Sequence, residues 1–308
     1  MPHRKFQEPK IELEQYPTSP ELTASIILMA LSKGDAGPGT TVADLGCGCG
    51  ILGLGFALAG SDWVYLLDCD SDALQLARDN VEMLEEEELI GSSGISLSHE
   101  QGDCDDESET CCRGVEIIQA KVKYNRPKQP KASRGGRGSR GGGRGRKGRG
   151  RGAAVARPAS DALYQNPREG HHSQDDGIPL PRSAVDTVIT NPPFGTKHNE
   201  GIDVQFLKVA VRLARKTVYS FHKTSTRAFL LKLLKGWGLQ AEVVAEMKFD
   251  IPSMYKFHKQ KSVDVDVDLL RVWFEDEEVD DRNAAMGDLQ ESELDDGEEL
   301  PLGLCGHA

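Results

Sequence analysis

Apolar residues recur at helical spacing over residues 21–32 and stop before Lys33-Gly34-Asp35-Ala36-Gly37-Pro38. A strand over 41–45, a helix over 50–59, a strand over 63–68 and a helix over 71–84 follow. This βαβα order predicts a parallel sheet with right-handed crossovers. From Glu85 to Gly114 the chain turns acidic and Gly/Ser-rich and reads as an inserted loop, after which Val115–Gln119 forms a short strand returning to the sheet. Residues 123–182 hold Pro, Gly and Arg but few large apolar side chains. They bury too little surface to offset ordering entropy and are expected to be disordered. The fold resumes with a strand over 185–190, a helix over 202–214, a strand over 216–221, a helix over 225–236 and a strand over 240–248. The last core segment, 263–270, alternates. Val263, Val265 and Val267 face one side, and Asp264, Asp266 and Asp268 the other. It predicts a half-buried strand with a solvated acidic face, hairpin-paired with 240–248 near one sheet edge. The pattern gives an α/β fold: a doubly wound, mostly parallel, seven-stranded sheet with a C-terminal antiparallel strand.

Charge divides the chain further. The formal net charge of −12 over 308 residues hides an asymmetry, because residues 121–151 carry thirteen Lys/Arg and no acid, whereas Glu275–Glu299 is largely acidic. The blocks therefore say more about partners than the total does. The expected organisation is an N-terminal half-domain over 1–122, with its acidic insert at about 85–114, and a disordered Arg/Gly-rich insert over 123–182. A C-terminal half-domain over 183–274 and an acidic disordered tail over 275–308 complete it. No run of about eighteen apolar residues exists, and Met1-Pro-His-Arg-Lys5 has no apolar leader core, so neither a membrane span nor a secretory signal is expected. The seven cysteines are an odd number and read as reduced thiols of a cytosolic or nuclear protein. Cys104, Cys111 and Cys112 lack metal-ligand spacing, and the three alternating aspartates read as a strand face rather than a metal site, so no metal is expected.

The most informative chemistry is Asn191-Pro192-Pro193-Phe194, directly after the apolar run 185–190. Two prolines stiffen the turn and leave its carbonyls free. The Asn191 side-chain oxygen and the Pro192 carbonyl can both accept from one –NH2 group, and Phe194 offers a flat face to a planar substrate. Such a turn holds an amino group conjugated to a planar system, where two acceptors favour pyramidal geometry and free the lone pair for attack. Taken alone, the same residues also suit an ordinary proline turn after a strand.

A second signal lies in Val42–Gly50, a short strand running into a loop with glycines at 46, 48 and 50. Residues 48–53 match G-x-G-x-x-G, which raises a dinucleotide site. Asp44 argues otherwise: a carboxylate there repels a pyrophosphate and attracts the cationic amino group of S-adenosylmethionine. The next strand ends at Asp68, an acid placed for ribose hydroxyls. Asp70 or Asp72 caps the following helix. Ligands in such sheets bind beyond the carboxyl ends of the strands, so the loop, Asp68 and Asn191–Phe194 are expected on one edge.

Asp44-Leu-Gly-Cys-Gly-Cys-Gly50 and Asn191-Pro-Pro-Phe-Gly-Thr-Lys197 resemble the methyltransferase-like protein five family. So do Leu13-Glu-Gln-Tyr-Pro-Thr18, Tyr219-Ser-Phe-His-Lys223, Tyr255-Lys-Phe-His-Lys259 and Lys261-Ser-Val-Asp264. The likeness covers roughly 10–90, 115–122 and 183–274, and not the middle insert or the tail. It implies a class I S-adenosylmethionine-dependent methyltransferase fold and methylation of N6 of one adenosine in small-subunit (18S) ribosomal RNA. It also implies a partnership with a small zinc-containing activator subunit covering an apolar sheet edge. By resemblance, Gln15 and Thr18 line the cofactor pocket from a lid segment, and Gly46, Cys49, Gly50 and Ile51 contact the cofactor alongside Asp44 and Asp68. The family places an acid near the cofactor adenine after its fourth-motif strand. Here Lys121 stands at that place, with Val122 behind it.

RNA engagement is expected from His222, Lys223, Lys248, Lys256, His258, Lys259 and Lys261, interleaved with Tyr219, Phe221, Phe249, Tyr255 and Phe257. The Arg-Gly tract from Arg134 to Arg151, including Arg137, Arg140 and Arg144, reads as a flexible low-specificity RNA tether. Nuclear import is a second use of the same charges, and nucleus (nucleolus) and cytoplasm are the expected locations. The competing readings are N5 methylation of a glutamine in a translation release factor, DNA adenine methylation, and an RGG-type RNA-binding protein on an inactive methyltransferase fold.

Overall fold

Each core strand is covered on both faces, and the sequence shows why. In the computed structural model the described residues are 4–6, 9–15, 18–90, 114–124, 166–168, 176–195, 200–252 and 262–274. The first helix, α1 (Pro20–Ser32), starts with Ser19 as its cap: the Ser19 hydroxyl accepts from the Leu22 amide and Pro20 occupies the first turn, where its missing N–H costs nothing. There follow β1 (Thr41–Leu45), α2 (Ile51–Leu58), β2 (Trp63–Asp68), α3 (Ser71–Glu86) and β3 (Gly114–Gln119). The second half runs β4 (Val185–Thr190), α4 (Ile202–Leu213), β5 (Ala214–Lys223), α5 (Arg227–Gly236), β6 (Gln240–Pro252) and β7 (Ser262–Trp273). Asp70 is the cap of α3.

The seven strands form one sheet in the order β3-β2-β1-β4-β5-β7-β6. Pairing is parallel from β3 through β5 and antiparallel for β5–β7 and β7–β6. Because side chains alternate along a strand, β1 sends Val42 into one core and Ala43 and Leu45 into the other. The first core lies under α1, α2 and α3, with Ile26, Phe56 and Leu74 packed against Val64 and Leu66. The second lies under α4 and α5, where Leu207, Val211, Leu230 and Trp237 pack against Val188, Val218 and Leu270. Strand β4 is buried at every position, as a central parallel strand should be.

Two expectations change. Strand β7 is not half-solvated at its end: it lies between β5 and β6, and Asp268 is buried there, bonded by Arg227 (Nε–Oδ2 2.6 Å) and Thr224 (Oγ1–Oδ1 2.7 Å). Asp266 keeps the expected exposure. The fold also resumes before residue 183. Asp176 binds Arg212 (Nε–Oδ2 2.5 Å), Ile178 is buried in the second core, and Arg168 lies over the Phe274 ring at 3.7 Å. The expected disorder of the acidic insert, the Arg/Gly tract and the tail lies outside the described residues. No helix among the described residues is long and apolar enough to cross a membrane.

Candidate active site at the strand ends

Strands β2, β1 and β4 are neighbours, and the register puts their carboxyl ends level: Leu45 pairs with Leu67, and Asp44 with both Leu66 and Ile189. The glycine loop after β1, Asp68 at the end of β2 and Asn191–Phe194 after β4 therefore leave the sheet side by side. One bond joins two of them directly. Thr190, the last residue of β4, donates from Oγ1 to the Leu45 carbonyl at 2.6 Å, just before Gly46.

The loop is shaped by β2. The amides of Gly46 and Cys47 donate to the Leu67 carbonyl (2.8 and 3.0 Å), and Gly48 donates to Asp68 Oδ2 (2.9 Å). Asp68 Oδ1 accepts from the Asp70 amide at 2.9 Å, so each oxygen retains acceptor capacity on its remaining lone pair. Burial pushes the Asp68 carboxyl above the usual range, opposed by those amides. Cys49 is buried and its carbonyl accepts from Asn80 Nδ2 (2.9 Å). The thiols of Cys47 and Cys49 are pushed up by burial, which fits fillers rather than nucleophiles. Gly50 and Ile51 open α2.

Asp44 corrects one expectation. It is 1% exposed and lies behind the loop, with Oδ2 accepting from the Gly53 amide at 2.8 Å, so it does not touch a ligand directly. Its Oδ1 is buried without a hydrogen-bond partner among the described residues. Burial raises its pKa to about 7, with the Gly53 amide opposing and the Asp68 charge adding to the rise. A buried carboxylate oxygen with no donor gains from a nearby cation. Gly46 in front of it has φ +79, a conformation that favours glycine, and a Cβ there would come within 3.1 Å of Phe206 Cε1, so the loop and that ring pack closely. The donor-free Asp44 oxygen fits the charged amino-acid end of S-adenosylmethionine.

The acceptor turn is held from outside the sheet by the N-terminal strap, described over residues 9–15 and 18–19. Glu14 Oε2 accepts from the Phe194 amide at 2.8 Å, and Thr18 Oγ1 accepts from Asn191 Nδ2 at 3.4 Å. Between them, Gln15 donates to Asp70 Oδ2 (2.7 Å) and accepts from the Lys10 amide (2.8 Å). Burial works against the Asp70 charge, but Lys10 and Gln15 outweigh it and hold that carboxyl below the usual range. Pro192 is buried and Pro193 half-buried. Phe194 is 6% exposed and meets Phe249 edge-on at 6.1 Å, so the broad stacking face expected of it is largely covered here.

Other expected residues separate. His222 is not an RNA-facing side chain: it is 1% exposed, with Nε2 2.9 Å from Ser220 Oγ and Nδ1 3.4 Å from Asp203 Oδ2. It sits in β5, a strand with neighbours on both sides and α4 above it. Lys223, at the end of β5, is half-buried on the same rim as the acceptor turn. Lys121 is exposed at the rim beside β2, close enough to Cys69 to act on its thiol, whereas Val122 is buried in the second core. The described acid that arrives nearby, Asp176, is engaged by Arg212 and the Ile178 amide. Lys256, His258, Lys259, Lys261, Arg134, Arg137, Arg140 and Arg144 lie outside the described residues.

Three contributors were missed. Glu14 gave no signal beyond its place in the Leu13–Thr18 block. Phe206 reached the loop from a helix whose pattern marks only a core face. Asn80 was visible in principle as a polar residue inside the apolar stripe Ala73, Ala77, Val81, Leu84 of α3.

Comparison with known proteins bears on this site. Residues 20–102 match the family model described as ribosomal protein L11 methyltransferase (PrmA). The chain is 34% identical over 266 residues to the rRNA N(6)-adenosine-methyltransferase METTL5 of Danio rerio, spanning 86% of this chain and 91% of that one. It is 33% identical to the Drosophila melanogaster protein of the same name, over 86% of this chain and 89% of the other. Among solved structures, a candidate RNA methyltransferase from Pyrococcus horikoshii superposes with a TM-score of 0.53 at 21% identity, covering 88% of this chain and 93% of that one. That last likeness concerns the fold.

Proposed function

The chain belongs to the METTL5 family of rRNA N(6)-adenosine-methyltransferases, and from that premise we propose that it methylates N6 of an adenosine in small-subunit ribosomal RNA with S-adenosylmethionine as donor. The observation that carries the site assignment is the Thr190–Leu45 bond, which fastens the acceptor turn to the strand that delivers the glycine loop.

S-adenosylmethionine, when bound, supplies an electrophilic sulfonium methyl group. Gly46–Ile51, Asp68 and the strap residues Gln15 and Thr18 are the groups that would hold it, with Asp44 acting on its ammonium through the field rather than by contact. Asn191 Oδ1 and the Pro192 carbonyl accept from the adenine amino group, orient its lone pair and keep water from that position. The rim of Phe194 left uncovered by Phe249 bounds the base, which must be splayed out of any helix to enter. No side chain needs to remove a proton before transfer, because the amine nucleophile is neutral and its proton leaves afterwards. Lys223 and the basic residues around 256–261 hold the RNA backbone, and the Arg-Gly tract tethers it. With such a substrate the enzyme would work in the nucleus (nucleolus) and cytoplasm.

The proposal extends to a zinc-containing activator subunit on the free edge of β3. That strand ends the sheet, and the flank beside it carries exposed Leu58 and Leu89, continuing to Leu28 and Leu31 on α1. Leu58→Asp should abolish co-purification with such a subunit while the isolated chain still binds cofactor; unchanged co-purification would remove this edge from the interface.

Asn191→Ala tests the reaction itself. Turnover should fall about a hundredfold or more, by analogy with removing one preorganised hydrogen-bond group, while cofactor affinity stays within about twofold. Near-normal transfer would take Asn191 out of the mechanism.

A further inference from the structure

We infer that Glu14 and Thr18 are a positioning pair that fixes the reactive shape of the acceptor turn from outside the sheet. On this view the N-terminal strap, as much as β4, sets how the amino group is received. The inference rests on the reading of Asn191–Phe194 as the amine holder.

Glu14 is built into its place. It is buried, and its backbone has φ +51, a left-handed conformation that a non-glycine residue adopts at a cost. That strain is offset by a charge-assisted bond from the Phe194 amide at 2.8 Å. The prolines at 192 and 193 have no N–H, so Phe194 is the first residue after Asn191 whose backbone can donate. A single acceptor on that N–H fixes the peptide plane that closes the turn. Thr18 acts on the other end. Its Oγ1 accepts from Asn191 Nδ2 at 3.4 Å, and an amide that donates on that side turns Oδ1, the acceptor the reaction needs, to the opposite side. Gln15, next to Glu14, faces elsewhere: it is fastened to Asp70 at the start of α3, beside the ribose acid Asp68.

This division gives a sharp test on the full chain with S-adenosylmethionine and small-subunit rRNA. Glu14→Ala should lower kcat by about thirtyfold, because a slightly misplaced acceptor is costly, with cofactor Kd within about threefold. Glu14→Gln, whose amide oxygen can accept the same N–H, should keep kcat within about fivefold. Gln15→Ala should do the reverse, weakening cofactor binding with little change in kcat at saturation. If Glu14→Ala does not fold, judged by circular dichroism and loss of a cooperative thermal transition, the same contrast is read at residue 18. At saturating cofactor, Thr18→Ser should stay within about threefold and Thr18→Val should lose about tenfold in kcat, whatever either does to cofactor affinity. Equal kcat in the alanine and glutamine variants of Glu14, a loss carried wholly by cofactor affinity, or equal kcat in the serine and valine variants of Thr18 would each overturn the inference. Asn191→Ala in the same assay separates the two levels. If it too is active, the amine-holder reading fails; if it alone is inactive, only the strap's role fails.

Discussion

Asp35 and Asp44 flank β1 at opposite ends, both buried, and are treated in opposite ways. Asp35, in the loop before the strand, receives two donors on each oxygen. Thr217 Oγ1 (2.8 Å) and Arg271 Nη2 (3.2 Å) reach Oδ1, and Tyr219 OH (2.7 Å) and Arg271 Nε (2.8 Å) reach Oδ2. Its backbone carbonyl accepts from Thr187 as well. Asp44, near the other end, receives one amide and keeps an oxygen unpartnered among the described residues. The first carboxylate knits β5 and β7 to the loop that feeds β1, and the backbone carbonyl of the same residue adds β4. The second is left unsatisfied where the glycine loop opens. Residual bonding capacity, more than residue type or burial, separates these two carboxylates.

The largest effect that would break this contrast is at Asp35. Asp35→Ala strands the Arg271 guanidinium in a largely buried position and should cost about 3–5 kcal/mol of stability, read by denaturant unfolding, with kcat of the folded fraction unchanged. A loss below about 1 kcal/mol would mean that the hub is decorative. Next is Thr190→Val, isosteric but without the hydroxyl, which leaves the Leu45 carbonyl short of a partner. It should cost about 1–3 kcal/mol and lower turnover, whereas a drop in stability alone would uncouple that bond from the site.

At Asp44 the contrast becomes a pH dependence. A carboxyl with a folded pKa of about 7 against an unfolded 3.8 holds its proton longer when folded. Stability from this group therefore falls as pH rises from about 4 to about 7 and is level above. A cationic ligand prefers the ionised form, so cofactor affinity should rise with pH, by at most about tenfold per unit, and level off above pH 7. Asp44→Asn should flatten both dependences and leave stability at pH 8 equal or improved. A pH slope that survives the substitution belongs to another group.

Much of this was legible in the chain. Hydrophobic alternation and helical spacing located the strands and helices of both cores, and the three chemical motifs each followed a predicted strand, which is why they meet. What failed did so for lack of long-range information. His222 and Lys223 look alike as neighbouring basic residues, but His222 meets Asp203 from α4 inside the sheet's cover while Lys223 reaches the rim. Asp268 has the same alternating neighbours as Asp266, yet only Asp268 is met by Arg227 from another element. Glu14 finds its partner at residue 194, and no local pattern encodes that contact.

The central claim is that a methyl donor and a purine amino group meet where β1, β2 and β4 end. The most direct measurement is transfer of labelled methyl from S-adenosylmethionine to purified small-subunit rRNA by the intact chain, followed by nucleoside analysis, beside Asn191→Ala. Label should appear in N6-methyladenosine with the unaltered protein and be lost in the variant, although that variant still binds cofactor. Label on a protein glutamine or on another base, or undiminished transfer by the variant, would contradict the claim.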